Sequence, residues 1–105
     1  DFYCGTLGLK PGSREFYPQI VEIRHEGVQL ILNKVEERAQ IDYPRVAQTL
    51  INFQVDDLEK ELANLKSKGV ELIHDTPQEG PVGVFAALRD PSGNVHELLE
   101  LQVEE

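Results

Sequence analysis

The chain has 105 residues, 40% of them hydrophobic, which is enough for one small globular domain. Its formal net charge of −9 is typical of a solvated acidic surface; it argues against nucleic acid, whose phosphates would be repelled, and mildly favours cationic ligands. No apolar run of about 18 residues occurs, so no membrane span is predicted. The one cysteine, Cys4, cannot form an internal disulfide, so we expect a cytoplasmic protein.

The chain begins with residues that are typical of the end of a helix. Residues 1–7 predict its last turns, and Gly8 is a suitable C-terminal cap. Pro11 and Gly12 then predict a turn. Residues 14–17 are expected to form a short strand that ends before a proline.

A β-hairpin and a polar segment are predicted next. Residues 19–24 and 28–35 read as two strands, and Gly27 occupies the turn position that needs a positive φ. Residues 36–47 are polar, include Pro44 and show no clear period. We interpret this segment as a linker.

The second half of the chain opens with a strand and a helix. Residues 48–55 alternate between apolar and polar positions, as in a strand. Asp56 is predicted to cap the following helix, with Glu59 completing a capping box. The apolar stripe of that helix consists of Leu58, Leu62 and Leu65.

The last third of the chain predicts three further strands. Residues 70–74 form the first, and the glycine- and proline-rich residues 75–83 form a loop with the composition of a flap. Residues 84–89 and 94–103 form a hairpin. Its connection, residues 90–94 (DPSGN), has the chemistry of a type I turn followed by a bulge.

Glu97 is the unusual residue of the last strand. Alternation places it on the same face as Val95, Leu99 and Leu101, and the turn register places it opposite Ala87. A carboxylate among aliphatic neighbours needs a partner, a wet cavity or protonation. It therefore forms a structural pair, recognises a ligand cation or acts as a general base.

The chain contains an internal repeat. Gly8 and Gly69 end two helices 61 residues apart, and Gly27 and Gly93 close two hairpins 66 residues apart. The second unit is complete, whereas the first lacks its opening strand and most of its helix, so roughly 15 residues are expected before it. We divide this single structural domain into a partial first module, a linker and a complete second module: residues 1–35, 36–47 and 48–105.

Five short motifs are spread over residues 2–98: FY followed by LGL within residues 2–9, VDDL at 55–58, KGV at 68–70, DPSGN at 90–94 and EL at 97–98. Together they resemble the vicinal oxygen chelate superfamily, the group of glyoxalases, bleomycin resistance proteins and extradiol dioxygenases. The resemblance implies an α+β fold of paired βαβββ modules, whose curled mixed sheet surrounds a cavity; here the first module lacks its opening strand. It also implies a homodimer, in some members with swapped strands.

Metal-dependent members of the superfamily take a ligand from the first and the last strand of each module. These positions fall on Leu50 and Glu97 in the second module, and on Leu30 and a residue before Asp1 in the first. Leucine cannot bind a metal, and a catalytic site needs about three protein ligands. We therefore expect no cofactor, with a divalent metal held through Glu97 as the disfavoured alternative. The three histidines are interpreted as ordinary surface or hydrogen-bonded residues.

Alternation and the turn register predict a mostly apolar ligand pocket with a few polar groups. Phe85 is suited to stack on a planar ligand, and Glu97 is the candidate catalytic or cation-binding group unless Arg89 pairs with it. The predicted lining residues are Leu30, Leu32, Leu50, Asn52, Phe85, Ala87, Arg89, Glu97 and Leu99.

Three classes of function are compatible with these features. The prediction is metal-independent binding of a small, cationic aromatic molecule, similar to the bleomycin resistance branch. The alternative is a metal-dependent lyase, dioxygenase or epimerase of the same superfamily. The third is a domain with a vestigial pocket that associates with a partner protein. Since one fold carries all these activities, fold alone does not choose among them.

Overall fold

The computed structural model describes residues 2–45 and 49–102. The chain divides into two compact units, residues 1–38 and 39–105. Within the described residues, no helix is both long enough and apolar enough to cross a membrane.

The first unit opens with a π-helical turn, Phe2–Thr6, where the sequence predicts the end of a helix. The Leu7 N–H donates to the carbonyl five residues earlier at 2.9 Å. Gly8 follows with a φ of +76°, a conformation that suits its predicted role as a cap. Leu9, which comes next, is buried in the core of this unit.

The predicted hairpin of the first unit is confirmed. Strand β1 (Ile20–His25) pairs antiparallel with strand β2 (Val28–Asn33). Gly27 lies in the connecting turn with a φ of +81°, which a residue with a side chain rarely adopts. The second strand ends two residues earlier than predicted.

The strand predicted at residues 14–17 is wrong, because the backbone turns through residues 15–19. The preceding segment, predicted as a turn, runs beside β1 instead. There the Gly12 N–H donates to a β1 carbonyl at 2.8 Å, and the Lys10 carbonyl accepts from a β1 N–H at 3.0 Å. The intervening proline is tolerated because an edge segment does not need its N–H for pairing.

The second unit contains one helix and a mixed sheet. Its elements are β3 (Ile51–Gln54), α1 (Leu58–Ser67), β4 (Glu71–Leu72), β5 (Gln78–Glu79), β6 (Gly83–Arg89) and β7 (Val95–Leu101). The strand order is β3-β7-β6-β4; β3 runs parallel to β7, and the other pairs are antiparallel. The path β3-α1-β4-β6-β7 is a βαβββ module, so the expected α+β fold is confirmed.

The loop predicted at residues 75–83 contains a short strand. β5 pairs antiparallel with β6, and the Gly80 N–H donates to the Gly83 carbonyl at 2.9 Å, which closes a tight turn. The segment is therefore tied to the sheet rather than free to act as a flap.

The turn between β6 and β7 is confirmed in detail. Asp90 is buried, and its Oδ1 accepts from two backbone N–H groups of the turn at 2.7 and 3.0 Å. Its own N–H donates to the Asn94 carbonyl at 2.9 Å, and Gly93 has a φ of +88°. Because this connection sets the register, Ala87 pairs with Glu97, as predicted.

The N-terminus of α1 is capped differently from the prediction. Asp57, and not Asp56, is the N-cap; its carboxylate accepts from the Lys60 N–H at 3.1 Å. Glu100 of β7 accepts from the Leu58 N–H at 2.8 Å. Two carboxylates from different elements thus satisfy N–H groups that a helix leaves unpaired at its start.

The helix covers one face of the mixed sheet, and its predicted leucine stripe is buried. Since Glu100 reaches the start of α1, the β7 residues that share its face, including Leu98, lie on the helix side. Leu98 and the nearby Leu88 of β6 are fully buried there. Glu97 and Leu99 lie on the opposite face of the sheet.

Candidate ligand-binding site

Glu97 lies near the middle of β7, on the side of the sheet away from α1. In the sheet register it stands between Asn52 of β3 and Ala87 of β6. In the next row on the same side, Leu99 pairs with Phe85. We call the surface formed by Asn52, Phe85, Glu97 and Leu99 the Glu97 face. Its centre is a half-buried carboxylate beside apolar side chains.

Two neutral donors hold the Glu97 carboxylate. The Tyr43 hydroxyl donates to Oε2 at 2.5 Å, and the Asn52 Nδ2 donates to Oε1 at 3.2 Å. Burial, and then the adjacent Glu97 carboxylate, raise the pKa of Tyr43 to about 12. Tyr43 therefore remains protonated at neutral pH, so both hydrogen-bond partners of Glu97 are neutral donors.

Arg89 is turned away from Glu97. Its Nε lies 3.1 Å from the Glu71 carboxylate, and its Nη1 donates to the Ile41 carbonyl at 2.8 Å. The structural pair with Glu97 that the sequence left open is therefore not formed. In the described part of the chain, the hydrogen bonds of the Glu97 side chain are those with Tyr43 and Asn52.

Three aromatic rings pack in a row that includes Tyr43, the donor to this carboxylate, and Phe85 of the Glu97 face. The His74 ring makes edge contacts with Tyr43 and Phe85, with centroid distances of 5.9 and 5.7 Å. Its Nδ1 accepts from the Ala87 N–H at 3.1 Å, so in the neutral ring the proton is on Nε2. This bond links the His74 ring to Ala87 of β6, the residue that pairs with Glu97.

The remaining predicted lining residues differ in position. Leu50 is half-buried and directly precedes β3, and Ala87 is completely buried. Leu30 and Leu32 belong to the first unit, where they share a hairpin face with the buried Ile23. Their role in a pocket stays a prediction. Within the second unit the structure brings together Asn52, Phe85, Ala87, Glu97 and Leu99.

The two side chains that donate hydrogen bonds to Glu97 are not of the types that bind the metal ion in metal-dependent members of the superfamily. Its polar neighbours are a phenol and a side-chain amide, which are poor substitutes for the histidines and carboxylates that bind transition metals. Across residues 2–45 and 49–102, no three side chains of the types His, Cys, Asp and Glu gather in a way that could hold a metal ion.

Sequence reasoning missed Tyr43 and His74. Tyr43 lies in the segment interpreted as a linker, where the only local signal is an aromatic residue close to Ile41 in a polar stretch. His74 follows a strand and was interpreted as an ordinary hydrogen-bonded histidine, which describes its bond to Ala87 but not its ring contacts with Tyr43 and Phe85. The contact between Tyr43 and Glu97 joins positions 54 residues apart, so no local periodicity indicates it.

Solved structures with the same fold cover most of this chain. FosX from Listeria monocytogenes, a fosfomycin resistance protein, has a TM-score of 0.73 at 17% identity, over 98% of this chain and 80% of that chain. A glyoxalase/bleomycin resistance protein/dioxygenase from Alicyclobacillus acidocaldarius has a TM-score of 0.70 at 23% identity, over 98% and 80%. TnmS3, an antibiotic binding protein from a Streptomyces species, has a TM-score of 0.69 at 24% identity, over 97% and 83%.

At these identities, likeness to solved structures establishes the fold alone. No match was found among curated proteins. The sequence profile of the Glyoxalase/Bleomycin resistance protein/Dioxygenase superfamily, however, matches residues 1–98. This match, the βαβββ module and the structural neighbours agree, and the chain belongs to that superfamily.

Proposed function

We propose that the protein binds a small cationic molecule at the Glu97 face without a metal ion. The observation that carries this proposal is the half-buried Glu97 carboxylate, whose contacts are neutral hydrogen-bond donors. A half-buried carboxylate gains more from a bound cation than an exposed carboxylate does, because the local dielectric constant is lower than that of water.

The surroundings of Glu97 support the same proposal. Arg89 lies on the same sheet face and would compete with a ligand cation for Glu97. It pairs with Glu71 instead. Phe85 and Leu99 provide apolar surface beside the charge, the combination found in most small-molecule sites. The net charge of −9 favours the approach of cations over that of anions. TnmS3, described as an antibiotic binding protein, supports small-molecule binding as a use of this fold.

A thermal-shift screen tests this proposal. Cationic, neutral and anionic aromatic compounds of matched size are added to the protein in the presence of EDTA. At ten times its Kd, a ligand that binds only the folded state stabilises it by about 1.4 kcal/mol, which raises Tm by roughly 6 °C for a domain of this size. We expect such shifts for cations and not for anions.

Two variants make the screen specific for the Glu97 face. Glu97→Gln is expected to lose the cation shifts, whereas Glu79→Gln, at an exposed position of β5, should retain them. Equal shifts in both variants would contradict the proposal. Elemental analysis of protein purified without chelator completes the test: near-stoichiometric metal that is lost in Glu97→Gln would instead support the lyase or dioxygenase alternative.

A further inference from the structure

The hydrogen bonds of Glu97 define the chemistry of its ligand more narrowly. We infer that the group bound by Glu97 is a planar cation with two adjacent N–H donors, such as an aryl amidinium or a protonated amino-heterocycle. This inference rests on the proposed function, because it assumes that Glu97 binds the ligand directly. It follows from the acceptor capacity of the carboxylate, from the way it is held and from the shape of the adjoining surface.

The Glu97 carboxylate has unused acceptor capacity. A carboxylate has about four lone-pair sites, two on each oxygen. Tyr43 occupies one site on Oε2, and Asn52 occupies one on Oε1. Each oxygen therefore retains capacity for one more donor. Two parallel N–H groups match a pair of carboxylate oxygens, whereas a single ammonium is a compact point charge without that geometry.

The carboxylate of Glu97 is held in one orientation by its two hydrogen-bond partners. Tyr43 and Asn52 reach Glu97 from different elements, a segment before β3 and β3 itself, so the plane of the carboxylate is held from two sides. A planar cation with two N–H donors gains more affinity from an oriented carboxylate than a freely rotating ammonium group does. The reason is that less ordering is needed when the planar cation binds. Tyr43 keeps its proton at neutral pH, so it does not add a second negative charge that would favour a simple ammonium.

The surface next to the carboxylate is apolar. Phe85 and Leu99 form the next row of the sheet on the same side. The edge contact between Phe85 and His74 fixes the Phe85 ring. A flat ring joined directly to the donor pair would extend over this row and gain aromatic and aliphatic contact. A donor on a flexible alkyl arm would not hold its ring in that position.

Calorimetric titration with three probes of similar size tests the inference. Benzamidinium carries two adjacent N–H donors and a charge, benzylammonium carries the charge alone, and benzamide carries one neutral N–H₂ group. We expect benzamidinium to bind about tenfold more tightly than benzylammonium, the effect of one additional charge-assisted hydrogen bond. Benzamide is expected to bind more weakly than either cation.

The outcomes separate this inference from the proposed function. If benzylammonium binds as tightly as benzamidinium, and both require Glu97, the paired-donor inference is wrong and cation binding stands. If neither cation binds, both fail. Glu97→Gln should abolish the preference for benzamidinium, and Glu79→Gln should preserve it. If Glu97→Gln does not fold, Glu97→Asp serves instead: it keeps the charge but withdraws the carboxylate from Tyr43 and Asn52, and it should reduce the tenfold ratio to about threefold or less.

Discussion

At the scale of single residues, the central contact is the hydrogen bond from Tyr43 to Glu97. At 2.5 Å it is in the range of a hydroxyl that donates to a charged oxygen, which is stronger than a bond between neutral groups. The bond explains how a carboxylate is accommodated beside Phe85 and Leu99. It also gives Tyr43 a titration that differs from that of an exposed tyrosine.

The contact can be measured through the pKa of Tyr43, which is obtained from the absorbance of tyrosinate as the pH is raised. Burial is the larger cause of the raised pKa of Tyr43, about 12 against an ordinary value of 10, and Glu97 is the next. Glu97→Gln removes the carboxylate but not the burial, so we expect the pKa of Tyr43 to fall and still to exceed 10. Tyr43→Phe should remove this transition from the titration curve. An unchanged pKa in Glu97→Gln would show that the bond does not form in solution.

At the scale of elements, the start of α1 shows why neighbouring acidic residues are not equivalent. Asp57 accepts the Lys60 N–H, and Glu100 of β7 accepts the Leu58 N–H. Asp56, the sequence-based candidate, lies one residue outside the cap and is exposed. The capping contacts also tie the helix to the strand that carries Glu97.

Paired alanine variants test the assignment of the cap. Asp57→Ala should lower the free energy of unfolding by about 1 kcal/mol, the usual cost of losing an N-cap. Asp56→Ala should change it by less than about 0.5 kcal/mol, as is usual for an exposed position. Urea unfolding of both variants, with wild type as reference, measures the difference. A larger effect at Asp56 would mean that the helix starts one residue earlier than described.

Prediction from sequence succeeds in the elements whose chemistry is local. The turn at residues 90–94 could be predicted because Asp90 and Gly93 each meet a local requirement, and its length fixes the register that pairs Ala87 with Glu97. The choice between Asp56 and Asp57 could not be made, because both offer the same side chain at adjacent positions and the path of the chain after β3 decides. The contact of Tyr43 with Glu97 could not be predicted either, because the two residues are distant in sequence.

At the scale of the whole molecule, a buried histidine links stability to pH. His96 of β7 is buried between the Asp90 side chain, 3.6 Å away, and the Phe53 ring. Burial lowers the pKa of His96 below its ordinary value of 6.5, and this effect outweighs the opposing influence of Asp90. As the pH falls below about 6.5, the unfolded chain therefore takes up a proton that the folded protein resists, and stability decreases.

The pH dependence of urea unfolding measures this effect. Between about pH 7.5 and 5.5 we expect the free energy of unfolding to fall with decreasing pH, by no more than about 1.4 kcal/mol per pH unit from this one group. His96→Gln should reduce the slope, because it removes the buried group whose pKa is lowered. The same slope in wild type and His96→Gln would contradict the assignment.

The most direct test of the account is to map where a cation binds. Backbone amide spectra of ¹⁵N-labelled protein are recorded during titration with benzamidinium in the presence of EDTA. We predict shift changes concentrated at Asn52, Phe85 and Glu97 and their immediate neighbours, with none of comparable size in Glu97→Gln. Changes concentrated in the first unit or around the start of α1, or changes that persist in Glu97→Gln, would show that the Glu97 face is not the binding site.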